Sequence, residues 1–231
     1  MTNPSTDGGF AVVEMFTSQG CNSCPPAEEL LSEIERDARD RGQNVFALGF
    51  HVDYWDDLGW PDQFADAAYT ARQEAYARAL GTRGLYTPQM VVNGTVEFVG
   101  SDRRRAAAAI MSAMASTAAT PLALSIANLG NDRVMVDYRT EQPPERAVVH
   151  LAVVERELTS DIARGENAGR TLRQDNVVRA FRSAGLDAER GQLELATPPG
   201  LDPRRASVVG YVQENGERAI VGATAIELST A

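Results

Sequence analysis

The apolar positions change their period several times along the chain, and each change predicts an element. Residues 10–16, FAVVEMF, form an apolar run of buried-strand length broken only by Glu14. Further on, Ala27, Leu30, Leu31, Ile34 and Ala38 recur at helical spacing with Glu28, Glu29, Glu33 and Arg36 opposite, which predicts an amphipathic helix. VFALGFHV, residues 45–52, reads as a second buried strand, and such a strand–helix–strand unit should be parallel with a right-handed crossover. Residues 53–60, DYWDDLGW, break the periodicity. Pro61 and Asp62 suit the first turn of a second helix, with Phe64, Ala68, Ala71, Ala75 and Leu80 as its apolar stripe and Gly81 as its stop. TPQMVV and TVEFVG flank Asn93-Gly94, the strongest short hairpin signal in the chain. Ser101 or Asp102 then caps a helix carrying Ile110, Met111 and Met114. The order to about residue 119 is therefore β, α, β, α, β, β, α.

Pro121 marks a change of character. From there LALSIANL, RVMVDYR, AVVHLAVVE, QLELAT, ASVVGYVQ and AIVGATAIEL are short strand-like runs separated by polar or Pro/Gly turns. Their spacing predicts a mainly antiparallel β unit, for which a sandwich is one arrangement. The expected division is thus a mixed α/β domain over residues 1–119 and a β-rich domain over 120–231. No internal repeat or low-complexity linker separates them.

Charge narrows the partners. The net charge is −10 and every basic residue other than the two histidines is arginine, which favours solubility and weighs against nucleic acid. Arg103-Arg104-Arg105 reads as a solvated helix face rather than a phosphate site. No apolar stretch approaches the length of a membrane span. The amino terminus, MTNPSTDGGF, has neither a basic nor an apolar leader region, so the chain as written is expected in the cytoplasm. Removal of a leader would instead place it in the periplasm or outside the cell.

The chemistry concentrates in TSQGCNSCPPAEELL, residues 17–31, which holds both cysteines. Two cysteines do not make a disulfide scaffold, so Cys21 and Cys24 point to redox or metal chemistry. Cys21 falls where a strand ends and a helix begins, and the helix N-terminus favours its thiolate. It is the expected attacking sulfur, with Cys24 placed to resolve a mixed disulfide. Pro25 and Pro26 suit a first helical turn. Asn22-Ser23, between the sulfurs, helps to set the redox poise.

A strand, a Cys-x-x-Cys at a helix start and a later Thr87-Pro88 before a hairpin resemble the thioredoxin fold across residues 10–119. The resemblance implies a cis peptide at Pro88, lying against the cysteines, and a backbone contact from Thr87 to an extended substrate. It also implies a buried carboxylate behind the resolving cysteine, and Glu14 lies near that place; if buried, its raised pKa would suit a general base for Cys24. The rival reading pairs Glu14 with an arginine or turns it to solvent. The strings VVEMFTSQGCNSCPPAEELL, HVDYWDDLGWPDQF, RQEAYA, YTPQMVVNG and GENAGRTLRQDNVV together resemble the bacterial DUF1223 family, thioredoxin-like proteins without an established function. Members of that family commonly carry a secretory leader.

The expected function is thiol–disulfide exchange on protein or small-molecule substrates, with no cofactor beyond the cysteine couple. No phosphate-loop or dinucleotide fingerprint is present. An alternative is a copper or zinc site made by Cys21, Cys24 and His51, although His51 also suits a role in fixing the 53–60 loop. A third reading is a non-enzymatic binding protein with an inert disulfide. Trp55 and Trp60, with Tyr54, are candidates for a recognition rim. The segment 165–176, GENAGRTLRQDN, reads as a functional loop in which Arg170 and Arg173 either bind an anion or pair with Glu166 and Asp175. Nothing in the sequence fixes an oligomeric state.

Overall fold

The computed structural model describes residues 8–130, 132–216 and 218–229. The first half contains β1 (Ala11–Thr17), α1 (Pro25–Asp40), β2 (Val45–His51), a short 3-10 segment (Asp53–Leu58), α2 (Ala67–Leu80), β3 (Gln89–Val92), β4 (Val96–Val99) and α3 (Arg103–Met114). β5 (Leu122–Leu129), β6 (Arg133–Thr140), β7 (Ala147–Glu155), β8 (Leu158–Asp161), β9 (Thr171–Gln174), β10 (Val177–Gly185), β11 (Arg190–Ala196), β12 (Ala206–Glu214) and β13 (Ile220–Glu227) follow.

Local chemistry accounts for several boundaries. α1 opens on two prolines, whose missing amides a first turn tolerates. α3 is capped by Asp102, which accepts from Arg105 N at 3.0 Å. The β3–β4 turn places Asn93 at φ 45° and Gly94 at φ 73°, the paired positive angles that a two-residue hairpin requires. α2 ends at Gly81 as expected, with φ 69°, but begins at residue 67 rather than 61. Asp66 caps it by accepting from Ala68 N at 2.8 Å, whereas Asp62 is buried and bonded elsewhere.

The face of α2 that is buried also differs from expectation. Tyr69, Arg72, Gln73 and Tyr76 turn inward, while Ala68 and Ala71 are exposed. An apolar stripe marks the inner face only where the core beneath is apolar, and here it contains Glu14.

Eight strands form one mixed sheet in the order β13-β12-β7-β10-β2-β1-β3-β4. β1 runs parallel to β2, and β10 joins β2 in parallel through Val177 opposite Gly49. The other neighbours are antiparallel. Strands from both sides of residue 119 thus share the sheet. On one face, α2 packs over Val12, Phe16, Phe50, Val154 and Tyr211. On the other, α1 and α3 cover the β1–β3 side, while the antiparallel β11-β6-β5 sheet covers β7 and β12. β8 and β9 form a separate two-stranded hairpin. No helix among the described residues is long and apolar enough to cross a membrane.

Candidate functional site

Topology gathers the chemistry at one edge of the sheet. Thr17 and His51 end the parallel strands β1 and β2 and face each other. Gln89 opens β3 opposite Phe16, so Thr87-Pro88 arrives at the same edge. β10 starts opposite Gly49, which brings the β8–β9 hairpin there as well. The carboxyl ends of parallel strands are where an open α/β sheet leaves a crevice.

Cys21 and Cys24 are joined as a disulfide with Cα atoms 5.4 Å apart. Cys24 is the N-cap of α1, and its amide donates to Cys21 O at 3.2 Å. Because Pro25 and Pro26 have no N–H, the helix start offers Cys21 few free amides, and its field acts through the dipole. Ser23 Oγ lies 3.3 Å from Cys21 Sγ.

Both cysteines have 0% exposure, although Asn22 and Ser23 between them are exposed. The expectation of a reachable Cys21 therefore does not hold in this conformation. What covers the turn is polar: the buried Asn167 donates Nδ2 to Gln19 O at 2.9 Å and to Cys21 O at 3.0 Å. Asn22 N donates to Glu166 Oε2 at 3.0 Å.

The Thr87-Pro88 peptide is cis. A Cβ on Gly100 would lie 3.1 Å from Pro88 Cβ and 3.2 Å from Ala27 Cβ, so the proline and the first turn of α1 both pack around that glycine. Trp55 donates its indole N–H to Thr87 Oγ1 at 2.9 Å, and its Cβ lies 3.3 Å from where Gly20 would place one. Trp60 donates to Gln19 Oε1 at 2.9 Å. The half-buried tryptophans thus brace the cysteine turn with their polar edges already engaged.

Glu14 requires a correction. Its alternation with Met15 puts it on the α2 face of the sheet, opposite the face that α1 covers. There Arg72 Nε donates to Glu14 Oε1 at 2.7 Å, Tyr211 Oη donates to the same oxygen at 2.9 Å, and Tyr76 Oη donates to Oε2. The Arg72 guanidinium stacks against Phe50, Tyr76, Phe181 and Tyr211. Burial pushes the phenols of Tyr76 and Tyr211 well up. Glu14 is a buried ion-pair partner joining β1, α2 and β12, the pairing with an arginine that was the rival expectation.

A second buried carboxyl at this edge is Glu28, one helical turn after Cys24, whose amide donates to Cys24 O at 3.1 Å. It is buried; Thr17 Oγ1 donates to its Oε1 at 2.7 Å, and Oε2 has no hydrogen-bond partner among the described residues. Burial raises its pKa, against the opposing pull of His51 and the Thr17 hydroxyl. His51 Nδ1 lies 2.6 Å from Asp62 Oδ2. Burial alone would lower the imidazole pKa, but the Asp62 charge and hydrogen bond outweigh it and the net direction is up. Asp62 is also buried, and His51 holds its carboxyl below the usual range.

A polar seam links this edge to the hairpin. Gln19 Nε2 donates to Ser160 Oγ at 2.8 Å and Gln174 Oε1 at 2.9 Å, and Gln63 Nε2 donates to Ser160 Oγ at 2.9 Å. Within 165–176, Arg170 bonds Asn167 Oδ1 at 2.8 Å, while Asp175 Oδ1 accepts from Glu157 N at 2.7 Å. Arg170 and Arg173 also border an open cleft of about 610 Å³ between α1 and β9, whose five arginines are matched by five acidic residues, Glu28 among them. For the metal alternative, the two sulfurs are bonded to each other and His51 is turned to Asp62. Among the described residues no group of three His, Cys, Asp or Glu side chains is placed to hold an ion.

Comparison with known proteins adds kinship without chemistry. A family model described as "Protein of unknown function (DUF1223)" matches residues 12–213. A crystal structure of protein AGR_C_4864 from Agrobacterium tumefaciens is 31% identical, covering 99% of this chain and 97% of that one with a TM-score of 0.70. A domain of the outer membrane lipoprotein Omp28 from Porphyromonas gingivalis is 9% identical over 48% of this chain and 88% of that one, and its TM-score of 0.30 carries no argument. No curated protein matches.

Proposed function

We propose that this chain, which belongs to the DUF1223 family, is a thiol–disulfide oxidoreductase working through Cys21 and Cys24. The observation that carries the reading is the disulfide itself, set between β1 and the N-cap of α1 at the edge where Thr87-Pro88, Trp55 and Trp60 converge. A substrate thiolate attacks Cys21 Sγ, the Sγ–Sγ bond breaks, and Cys24 leaves as a thiolate that takes a proton from Glu28. A second substrate thiol then displaces Cys21 from the mixed disulfide, leaving the protein as a dithiol and the substrate as a disulfide. The reverse sequence reduces a substrate disulfide, with Glu28 receiving the Cys24 proton.

Glu28 suits this role because burial raises its pKa above the ordinary carboxyl value and so favours a form that carries a proton, with Thr17 as hydrogen-bond donor to one oxygen. A resident disulfide also suits an oxidising compartment. The test is catalysed reduction of a polypeptide disulfide by dithiothreitol, which Cys21→Ser should abolish. Equal rates in wild type and variant reject the assignment.

The complete burial of both cysteines favours a second reading, a binding protein whose disulfide is an inert clip. A clip has a reduction potential below about −300 mV and exchanges slowly, whereas a catalyst lies higher and exchanges fast.

A further inference from the structure

We infer that the loop of residues 162–170, between β8 and β9, is a movable cover over the Cys21–Cys24 disulfide, and that Asn167 is the latch controlling access to it. In its consequence for turnover the inference rests on the exchange reaction proposed above; in its physical content it concerns only how the disulfide is reached.

The closed state depends on a few polar bonds. Asn167 is 0% exposed, and its carboxamide donates to two carbonyls of the cysteine turn, Gln19 O and Cys21 O. Glu166 adds one bond by accepting from Asn22 N. Gly165 lies against Gly59 and Trp60, where a Cβ would come within 3.1 Å of Trp60 Cβ. Water can replace these hydrogen bonds when the loop lifts, so opening does not expose a large apolar core.

The loop is also built to move as a unit. Its base is closed by Ile162 N to Arg170 O at 2.9 Å and Gly169 N to Ile162 O at 2.7 Å. Asn167 is flanked by Gly165 and Gly169, both at positive φ, and nothing lies within 4 Å of where a Cβ on Gly169 would sit. It hangs from a hairpin that forms its own two-stranded sheet, outside the eight-stranded one. The seam beneath is imperfectly satisfied: Asn176 Nδ2 is buried without a hydrogen-bond partner among the described residues, and Gln174 acts on the Glu28 carboxyl without a well-formed bond to its Oε2. Unsatisfied buried groups lower the cost of separating the surfaces that hold them.

The test reads the disulfide itself. The oxidised full chain is treated with a small water-soluble phosphine under native conditions, and the free thiols are trapped by alkylation and counted by mass. Asn167→Ala removes both latch bonds and should speed reduction by about 5- to 150-fold at the net worth of two hydrogen bonds. Glu166→Ala, at an exposed position, removes the acceptor for Asn22 N and should speed it by a smaller factor. Val134→Ala, in the separate core cluster beneath the β11-β6-β5 sheet, lowers global stability without touching the latch and should reduce at the wild-type rate. Reduction of Asn167→Ala at the wild-type rate, or equal acceleration in Val134→Ala, overturns the inference. Acceleration in Asn167→Ala without catalytic turnover in the wild type supports the cover and rejects the oxidoreductase reading, so the two failures are distinct.

Discussion

Replacing Arg72 by methionine removes the cation bonded to Glu14 while keeping much of the side-chain volume. Both partners are buried, with side-chain exposures of 7% and 0%, so the remaining carboxylate cannot recover its hydration. Breaking such a pair from one side costs about 3–5 kcal/mol. Tyr76 and Tyr211 still donate to the two oxygens, and hydrogen bonds to a charged group are worth about 1.5–3 kcal/mol each. The expected loss therefore lies near the lower limit, about 3 kcal/mol, which in a chain of this size lowers Tm by about 6–12 °C. Equilibrium denaturation of wild type, Arg72→Met, Glu14→Leu and the double variant reads it directly. The double variant should lose less than the sum of the singles by about 1–3 kcal/mol, because no charge is then left alone. A cost under about 1 kcal/mol for Arg72→Met, or strict additivity, would refute the placement of this ion pair at the centre of the core.

Other expectations concern the site. Glu14→Gln should leave disulfide exchange per folded molecule unchanged, whereas Glu28→Gln should change its pH profile; the opposite pattern in stopped-flow alkylation would return the proton role to Glu14. Because the folded pKa of Glu28 is raised, its contribution to stability is complete below its unfolded value near 4.5 and is lost as pH rises through the folded value; Glu28→Gln should flatten that limb of a denaturation-versus-pH curve. His51 has the same sign, with stability complete below about 6.5 and lost as pH rises through its raised folded value. Asp62→Asn should bring the His51 titration down, as read from its ring-proton NMR shift. Gly222→Ala drives a Cβ to 1.8 Å from the carbonyl oxygen of Thr120, a backbone atom that cannot step aside, and should cost about 2–3 kcal/mol. Gly84→Ala, with nothing within 4 Å, should cost under about 0.5 kcal/mol in the same denaturation assay.

Legibility in the sequence followed the physics of each element. β1, α1 and β2 could be read because their inner positions are apolar and their periods differ, and the β3–β4 hairpin could be read because Asn-Gly fits its turn. Six runs after residue 121 became strands. β10 escaped notice because a bulge between Val178 and Ala180 breaks its alternation and Arg179 and Arg182 interrupt its apolar run. That omission hid the link between the two halves of the chain, since β10 is the strand that pairs with β2. The inner face of α2 was misread because Arg72 and Gln73 are buried for polar partners rather than for area.

The meeting of Cys21, Cys24, Thr87 and Pro88 at one edge of the sheet could be read from spacing and resemblance. Glu28 has a readable signal, a carboxyl one helical turn after Cys24, which its place among the charged positions opposite the apolar stripe of α1 masks, although it is buried. The 165–176 segment reads as a loop from its polar and glycine content, but Thr171–Gln174 pair as β9, and the target of the remaining loop has no local signal. Asn167 meets Gln19 across 148 residues of sequence, and no local pattern encodes so remote a hydrogen bond.

The central claim, that Cys21 and Cys24 exchange electrons with other thiols, is tested most directly by equilibrating the folded protein in glutathione redox buffers and quantifying the disulfide at each ratio. A reversible two-electron transition is expected between about −120 and −270 mV, approached at the same value from the oxidised and the reduced side. A disulfide that stays oxidised below about −300 mV, or one that fails to equilibrate from either side, would contradict it.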